Sequence, residues 1–161
     1  MREVPGASIE TVRGQLSNPD AGRVVTMWER SGMLTGGAAR ERLSEVICVL
    51  RELDGSLSGV NWAFPDDVAL VGGRRFWMYQ SVLAQSRADA APAMIEHAFA
   101  ALEQDFDPEA RGPIGVCVVL HDPEDMRQRP EAEWSDPRML YAGYLPDGGQ
   151  VRIGYFAGAT I

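Results

Sequence analysis

Residues 74–122 read RRFWMYQSVLAQSRADAAPAMIEHAFAALEQDFDPEARGPIGVCVVLHD, and this stretch decides the fold. Phe76–Leu83 is aromatic and rich in strand formers. From Asp89 to Phe106 the apolar residues Ile95, Ala98, Phe99, Leu102 and Phe106 recur at the spacing of one helical face. Residues 113–120 hold a nearly unbroken apolar run, Ile114-Gly115-Val116-Cys117-Val118-Val119-Leu120, as in a strand buried on both faces. Strand, crossover helix and buried strand predict a right-handed parallel unit. Ligands of such units gather where the strands end and the helix begins, so a small-molecule site is expected there.

Working outward, Ser8–Leu16 suits a first strand. Asn18-Pro19-Asp20 suits a helix start with Val24, Val25 and Trp28 turned inward, ending near Gly32. Thr35-Gly36-Gly37 opens a second helix with Ala39, Leu43 and Val46 on one side. Residues 45–52 and 56–64 form strands joined through Leu53-Asp54-Gly55, a hairpin signal. Pro65-Asp66-Asp67 breaks the pattern. After Leu120 a short helix is expected over 124–129. Two more strands, 139–145 and 150–156, then flank Pro146-Asp147-Gly148-Gly149. The order is β, α, α, β, β, β, α, β, short α, β, β. At 161 residues with no internal repeat or linker, residues 1–161 read as one domain.

Composition narrows the function. Net charge is −8, and all 15 basic residues are arginine. No basic stripe exists to displace counterions from a nucleic-acid backbone. Without lysine the chain forms no lysine Schiff base and supplies no P-loop lysine. No apolar run approaches the roughly 20 residues that a membrane helix needs. Residues 1–10 lack the pattern of a secretory signal. Cys48 and Cys117 read as buried free thiols, so a cytoplasmic protein is expected. Two histidines and two scattered cysteines make no metal site.

The order of elements resembles the GNAT acyltransferase fold, a mixed α/β sheet with two early helices, over nearly the whole chain. The family's loop between the strand at 76–83 and the helix at 89–106 binds the pyrophosphate of acyl-CoA. It runs Gln or Arg, two residues, Gly, one residue, Gly or Ala. Here Arg87-Ala88-Asp89-Ala90-Ala91-Pro92 lies in register. Arg87 matches. Ala90 stands where Gly is usual, and Pro92, which has no amide to donate, stands where Gly or Ala is usual. Asp89 is placed to cap the helix and would repel a phosphate.

The resemblance implies acetyl-CoA or another acyl-CoA as co-substrate, held by Val82 and Leu83 of the strand end and by Arg87, Ala90 and Ala91 of the loop. It also implies a tyrosine as general acid toward the departing thiolate, usually from the helix after the fifth strand. That helix has no tyrosine here, so Tyr141 and Tyr144 on a late strand are the candidates, with sheet-face packing as the competing reading. His121, at the carboxyl end of the buried strand and next to Asp122, is a candidate general base; a surface histidine is the alternative. The expected function is N-acyl transfer from acyl-CoA to a small-molecule or peptide amine. A non-catalytic GNAT-like protein that binds a ligand or partner is the alternative. Aromatic surface not taken up by the core would suit a pocket or a homodimer contact.

Overall fold

The elements run β1 (Ala7–Thr11), α1 (Asn18–Ser31), α2 (Gly36–Glu41), β2 (Val46–Glu52), β3 (Leu57–Val68), β4 (Arg74–Leu83), α3 (Ala91–Gln104), β5 (Gly115–Leu120), α4 (Pro123–Gln128), β6 (Glu133–Trp134), β7 (Met139–Tyr144) and β8 (Gln150–Tyr155). These come from a computed structural model that describes residues 2–161. The eight strands form one mixed sheet in the order β1-β2-β3-β4-β5-β8-β7-β6. β4 and β5 are parallel neighbours, with Trp77 opposite Val116 and Met78 opposite Cys117, as the apolar run and its preceding helix predict. The chain divides into two compact units. One comprises the residues up to Ala63 together with Gln80–Ala101; the other comprises Phe64–Tyr79 and Leu102–Ile161.

In the first unit β1 is shorter than the sequence suggests. Gly14 turns the chain at φ 72°, so the strand ends at Thr11 rather than near Leu16. The cap of α1 is Ser17, one residue before Asn18, and its hydroxyl accepts from the Asp20 amide at 3.3 Å. Gly32, at φ 73°, closes the helix. Val24 and Trp28 of α1 are fully buried against Val46, Val49, Val60 and Trp62, while Val25 is only partly buried. Trp28 meets Trp62 edge to face, with ring centroids 5.1 Å apart. The second helix is brief, because residues 42–45 tighten into a 3₁₀ turn before β2.

Two polar anchors hold this unit. Asn61, fully buried in β3, accepts from the Cys48 amide at 2.8 Å and donates to the Met94 carbonyl of α3 at 3.0 Å. Its acceptor bond falls at the irregularity in the β2–β3 ladder between Val46 and Cys48. The side chain thus satisfies an amide that the irregular ladder would otherwise strand. Arg51 of β2 is the second anchor. Its Nε donates to Glu10 at 2.6 Å, its NH2 to Asp20 at 2.6 Å, and its NH1 to the Gly55 carbonyl at 3.1 Å.

Helix α3 begins at Ala91, not at Asp89, after a 3₁₀ turn over Gln85–Ala90. Arg87 has φ −118° and ψ 20°, which interrupts any regular helix there, so Asp89 lies inside the turn and does not cap α3. Ile95, Ala98 and Phe99 form its buried face as expected.

In the second unit β3 continues to Val68, through the Pro65-Asp66-Asp67 that reads as a break. The β2 ladder along β3 ends where Trp62 faces Val46. Pro65 lies past that point, where its missing amide removes no bond from the ladder. Phe76, Cys117, Val151 and Ile153 make the core of this unit with Val68. Gly115 permits the tight β5–β8 ladder, since a Cβ there would sit 2.0 Å from the Gly154 carbonyl oxygen. The short β6 pairs with β7 and has no counterpart in the sequence reading.

Asn61→Leu should leave the buried Cys48 amide without a partner, remove the tie to the Met94 carbonyl and cost about 1–3 kcal/mol. Thermal denaturation should then show a Tm lower by roughly 3–10 °C; a change under roughly 2 °C would mean that the anchor carries nothing.

The Asp20 carboxyl is held below its ordinary value, chiefly by the Arg51 hydrogen bond, with burial opposing and Arg23 assisting. A depressed carboxylate contributes stability above the unfolded-chain value, near 4, and loses it as pH falls through the lower folded value. Urea midpoints followed from about pH 6 to pH 2 should therefore fall further in the wild type than in Asp20→Asn. Parallel pH curves for the two proteins would remove Asp20 from this role.

Candidate functional site

The β4–α3 corner lies in the first unit. Val82, near the end of β4, is half-buried and packs on the α1-facing core. Leu83 lies against Gly59: a Cβ at Gly59 would come within 2.5 Å of a Leu83 methyl. Ala90 is buried, and the Ala91 amide closes the 3₁₀ turn on the Ala88 carbonyl. The Arg87 amide donates to the Ala84 carbonyl at 2.8 Å. These two amides are engaged within the turn, and Pro92 has none to offer.

The Arg87 side chain is also engaged, though not with Asp89 or Asp122. Its Nε and NH2 each donate to Glu52 at 2.6 Å, as a two-pronged fork, and its NH1 donates to the Pro5 carbonyl at 2.8 Å. Fork geometry of this kind is the strong form of the arginine–carboxylate pair. Arg87 in turn holds the Glu52 carboxyl below its ordinary value. A diphosphate entering this corner would have to displace Glu52 to reach the guanidinium. The fit to CoA is therefore partial: the strand end and the matching arginine are in place, and the arginine already has an anion.

The remaining candidates lie in the second unit. His121 follows β5 and is exposed. Its Nε2 sits 3.2 Å from Oδ2 of Asp147, in the β7–β8 hairpin. The adjacent Asp122 is otherwise occupied: it caps α4 by accepting from the Glu124 amide at 2.8 Å. Asp147 also accepts from the Gly149 amide at 2.9 Å, and that bond, followed by His121, lowers its pKa. A histidine whose Nε2–H faces a carboxylate presents a basic Nδ1.

Tyr141 and Tyr144 meet each other edge to face, with centroids 5.6 Å apart, on the exposed side of β7. The Tyr144 hydroxyl accepts a long hydrogen bond from Gln150 at 3.4 Å. The Arg152 guanidinium carbon lies 5.8 Å from the Tyr141 ring. Neither tyrosine takes part in the His121–Asp147 pair.

Sequence reasoning missed Arg152 and Trp134. Arg152 is fully buried in β8; its Nε donates to Gln150 at 3.0 Å, and NH1 and NH2 donate to the carbonyls of Glu131 and Arg129. Its guanidinium carbon lies 4.6 Å from the centre of the Trp134 ring. Burial lowers its pKa. Cys48 and Cys117 are buried free thiols, pushed up to about 11 and about 12 by desolvation. Such thiols are poor nucleophiles. Among the described residues no cluster of three His, Cys, Asp or Glu could hold a metal, and no helix is long and apolar enough to cross a membrane.

No family model matches the chain, and no curated protein matches it. Solved structures do. A phosphinothricin acetyltransferase of the GNAT superfamily from Sinorhizobium meliloti, in complex with AcCoA, aligns over 96% of this chain and 91% of its own, with TM-score 0.60 and 11% identity. A GNAT-family acetyltransferase from Streptococcus pneumoniae aligns over 94% and 99%, with TM-score 0.55 and 10% identity. A spermidine N-acetyltransferase chimera that includes Vibrio cholerae sequence aligns over 93% and 95%, with TM-score 0.53 and 8% identity. At these identities the likeness is one of architecture, and it extends over more than nine-tenths of the chain. The chain has the GNAT acyltransferase fold.

Proposed function

We propose that the chain, acting as one domain over residues 1–161, is an N-acyltransferase that moves an acyl group from acyl-CoA to an amine. The observation that carries this reading is the GNAT fold over 96% of the chain, shared with an acetyltransferase described in complex with AcCoA. Acyl-CoA would supply an activated thioester carbonyl. Val82 and Leu83 would orient it from the end of β4. Arg87 would exchange Glu52 for the diphosphate, which makes the grip weak. His121, held through Nε2 by Asp147, would take the proton of the attacking amine on Nδ1. Tyr141 and Tyr144 are the hydroxyls available to protonate a thiolate.

A cationic acceptor, either a small amine or a peptide, suits a net charge of −8; one structural neighbour is described as acting on spermidine. The same charge speaks against nucleic acid as a partner. The exposed Tyr141–Tyr144 pair offers surface for a homodimer contact. Two buried reduced thiols accord with the cytoplasm.

A second reading, a non-catalytic GNAT-like binding protein, is favoured by one observation: the Arg87 fork is already closed on Glu52. A fold by itself does not confer an activity, so the loop must be tested directly.

Calorimetry with acetyl-CoA separates the two readings. The wild type should bind more weakly than about 1 μM. Arg87→Ala should weaken binding about tenfold, and Glu52→Gln, which releases the guanidinium, should tighten it several-fold. Arg87→Ala should also lower the Tm without ligand, since it opens the fork to Glu52 and Pro5. Submicromolar binding by the wild type would refute the argument that the loop is weak. No heat from about 1 mM acetyl-CoA in either the wild type or Glu52→Gln would favour the non-catalytic reading.

His121→Gln should lower turnover about tenfold or more, and Asp147→Asn, which removes the carboxylate facing Nε2, should lower it several-fold. Unaltered turnover in both variants would take the pair out of the reaction.

A further inference from the structure

A cleft of about 290 Å³ opens in the second unit at the start of β4. All of its lining residues belong to the second unit, whereas Val82 and Leu83 belong to the first. Its walls include Arg74 and Arg75 of β4, Arg111 of the α3–β5 loop, Phe106, Pro108 and Ile114. Three arginines thus contribute to the walls of one small space, in a chain whose net charge is −8.

The charges there are poorly neutralised. Arg74 donates through NH2 to the Thr160 carbonyl at 2.6 Å, a neutral acceptor. Arg75 has a carboxylate partner in Asp67, but at 3.5 Å and with both side chains about half exposed or more, 49% and 62%. Such a pair is worth little to either partner. Among the described residues Arg111 makes no hydrogen bond or ion pair. Asp107, on the same loop, turns its Oδ1 to the Glu109 amide at 2.9 Å. One wall is apolar: Phe106 leans on Phe156, with centroids 5.3 Å apart, beside Pro108 and Ile114. Asp105 and Glu109 stand on the same loop beside the cleft, while charges beyond about 8 Å are screened at physiological ionic strength.

We infer that this cleft binds a small multivalent oxyanion, a phosphate ester or a polycarboxylate, whose apolar body rests on the Phe106 wall. Guanidinium forks match phosphate and carboxylate oxygens equally in geometry, and the volume admits a compact metabolite rather than a nucleotide. This site is independent of the acyl-transfer reading. Whether or not the β4–α3 corner holds CoA, the three arginines would still hold an anion.

Titration calorimetry with pyrophosphate and with citrate tests it and distinguishes the two oxyanion sources. At least one should bind with Kd of about 1 mM or tighter, more weakly as salt rises. Arg111→Ala should weaken that binding about tenfold, which corresponds to about 1.4 kcal/mol. Asp67→Asn, which removes the competing carboxylate from Arg75, should tighten it several-fold. Arg30→Ala removes the same charge from the far end of α1 and should leave it unchanged. No saturable binding of either anion at about 10 mM would overturn the proposal, as would equal losses in Arg111→Ala and Arg30→Ala.

Discussion

The placement of α3 in the first unit depends on a buried amide side chain. Asn61 sits in a strand whose neighbours are almost all apolar, and it is the only group that joins the irregular β2 ladder to the backbone of α3 among the polar contacts described for these elements. A hydrophobic residue there would fill the space yet leave a strand amide without a partner and untie α3 from the sheet. Burial of Val24, Trp28, Val60 and Trp62 supplies the bulk of the driving force, but apolar contact is indifferent to register. The amide makes one placement of α3 preferable to a slide along the sheet, because any slide breaks both bonds in a medium with no water to replace them.

The same placement determines what the β4–α3 corner can offer. With α3 fixed, the turn over Gln85–Ala90 is brought beside the end of β2, and Arg87 finds Glu52 there. The corner is thereby stabilised by the residue that, in the family it resembles, would be left for a diphosphate. A loop with glycines can wait for its anion, since its amides remain unused. This loop has alanines and a proline, tightens into a 3₁₀ turn and pairs its arginine internally. Here the fold itself uses the Arg87 fork and the Arg87 and Ala91 amides.

Local patterns were legible in the chain; long-range pairings were not. The helical face through Ile95, Ala98 and Phe99, the buried run after Ile114 and the Asp-Gly hairpins carry their own periodicity or turn chemistry, and they place β4, α3 and β5 in the observed parallel unit. Glu52 and Asp147 escaped notice because their partners lie 35 and 26 residues away, and nothing near either carboxylate announces a fork or a histidine. Asp122, the sequence neighbour of His121, was the natural choice for its partner and is instead used by α4. Pro65 misled because the rule that bars proline from strands applies only where the neighbour needs its amide. Arg152 was invisible for the opposite reason: a charge in the middle of a strand suggests a solvent face, yet its side chain is buried and carbonyls from the α4–β6 segment satisfy it.

Each unit also contains one sequestered thiol: Cys48 lies at the Asn61 anchor of the first, and Cys117 lies in the apolar centre of the second. Neither can meet a reagent in solution until the backbone around it opens. The rate at which each sulfur is labelled therefore measures the opening free energy of its own unit. With two cysteines in the whole chain, the signals separate by mass once the labelled peptides are cut apart. The protein thus comes with a pair of internal clocks, and their agreement or divergence states whether its two halves unfold as one body or in turn.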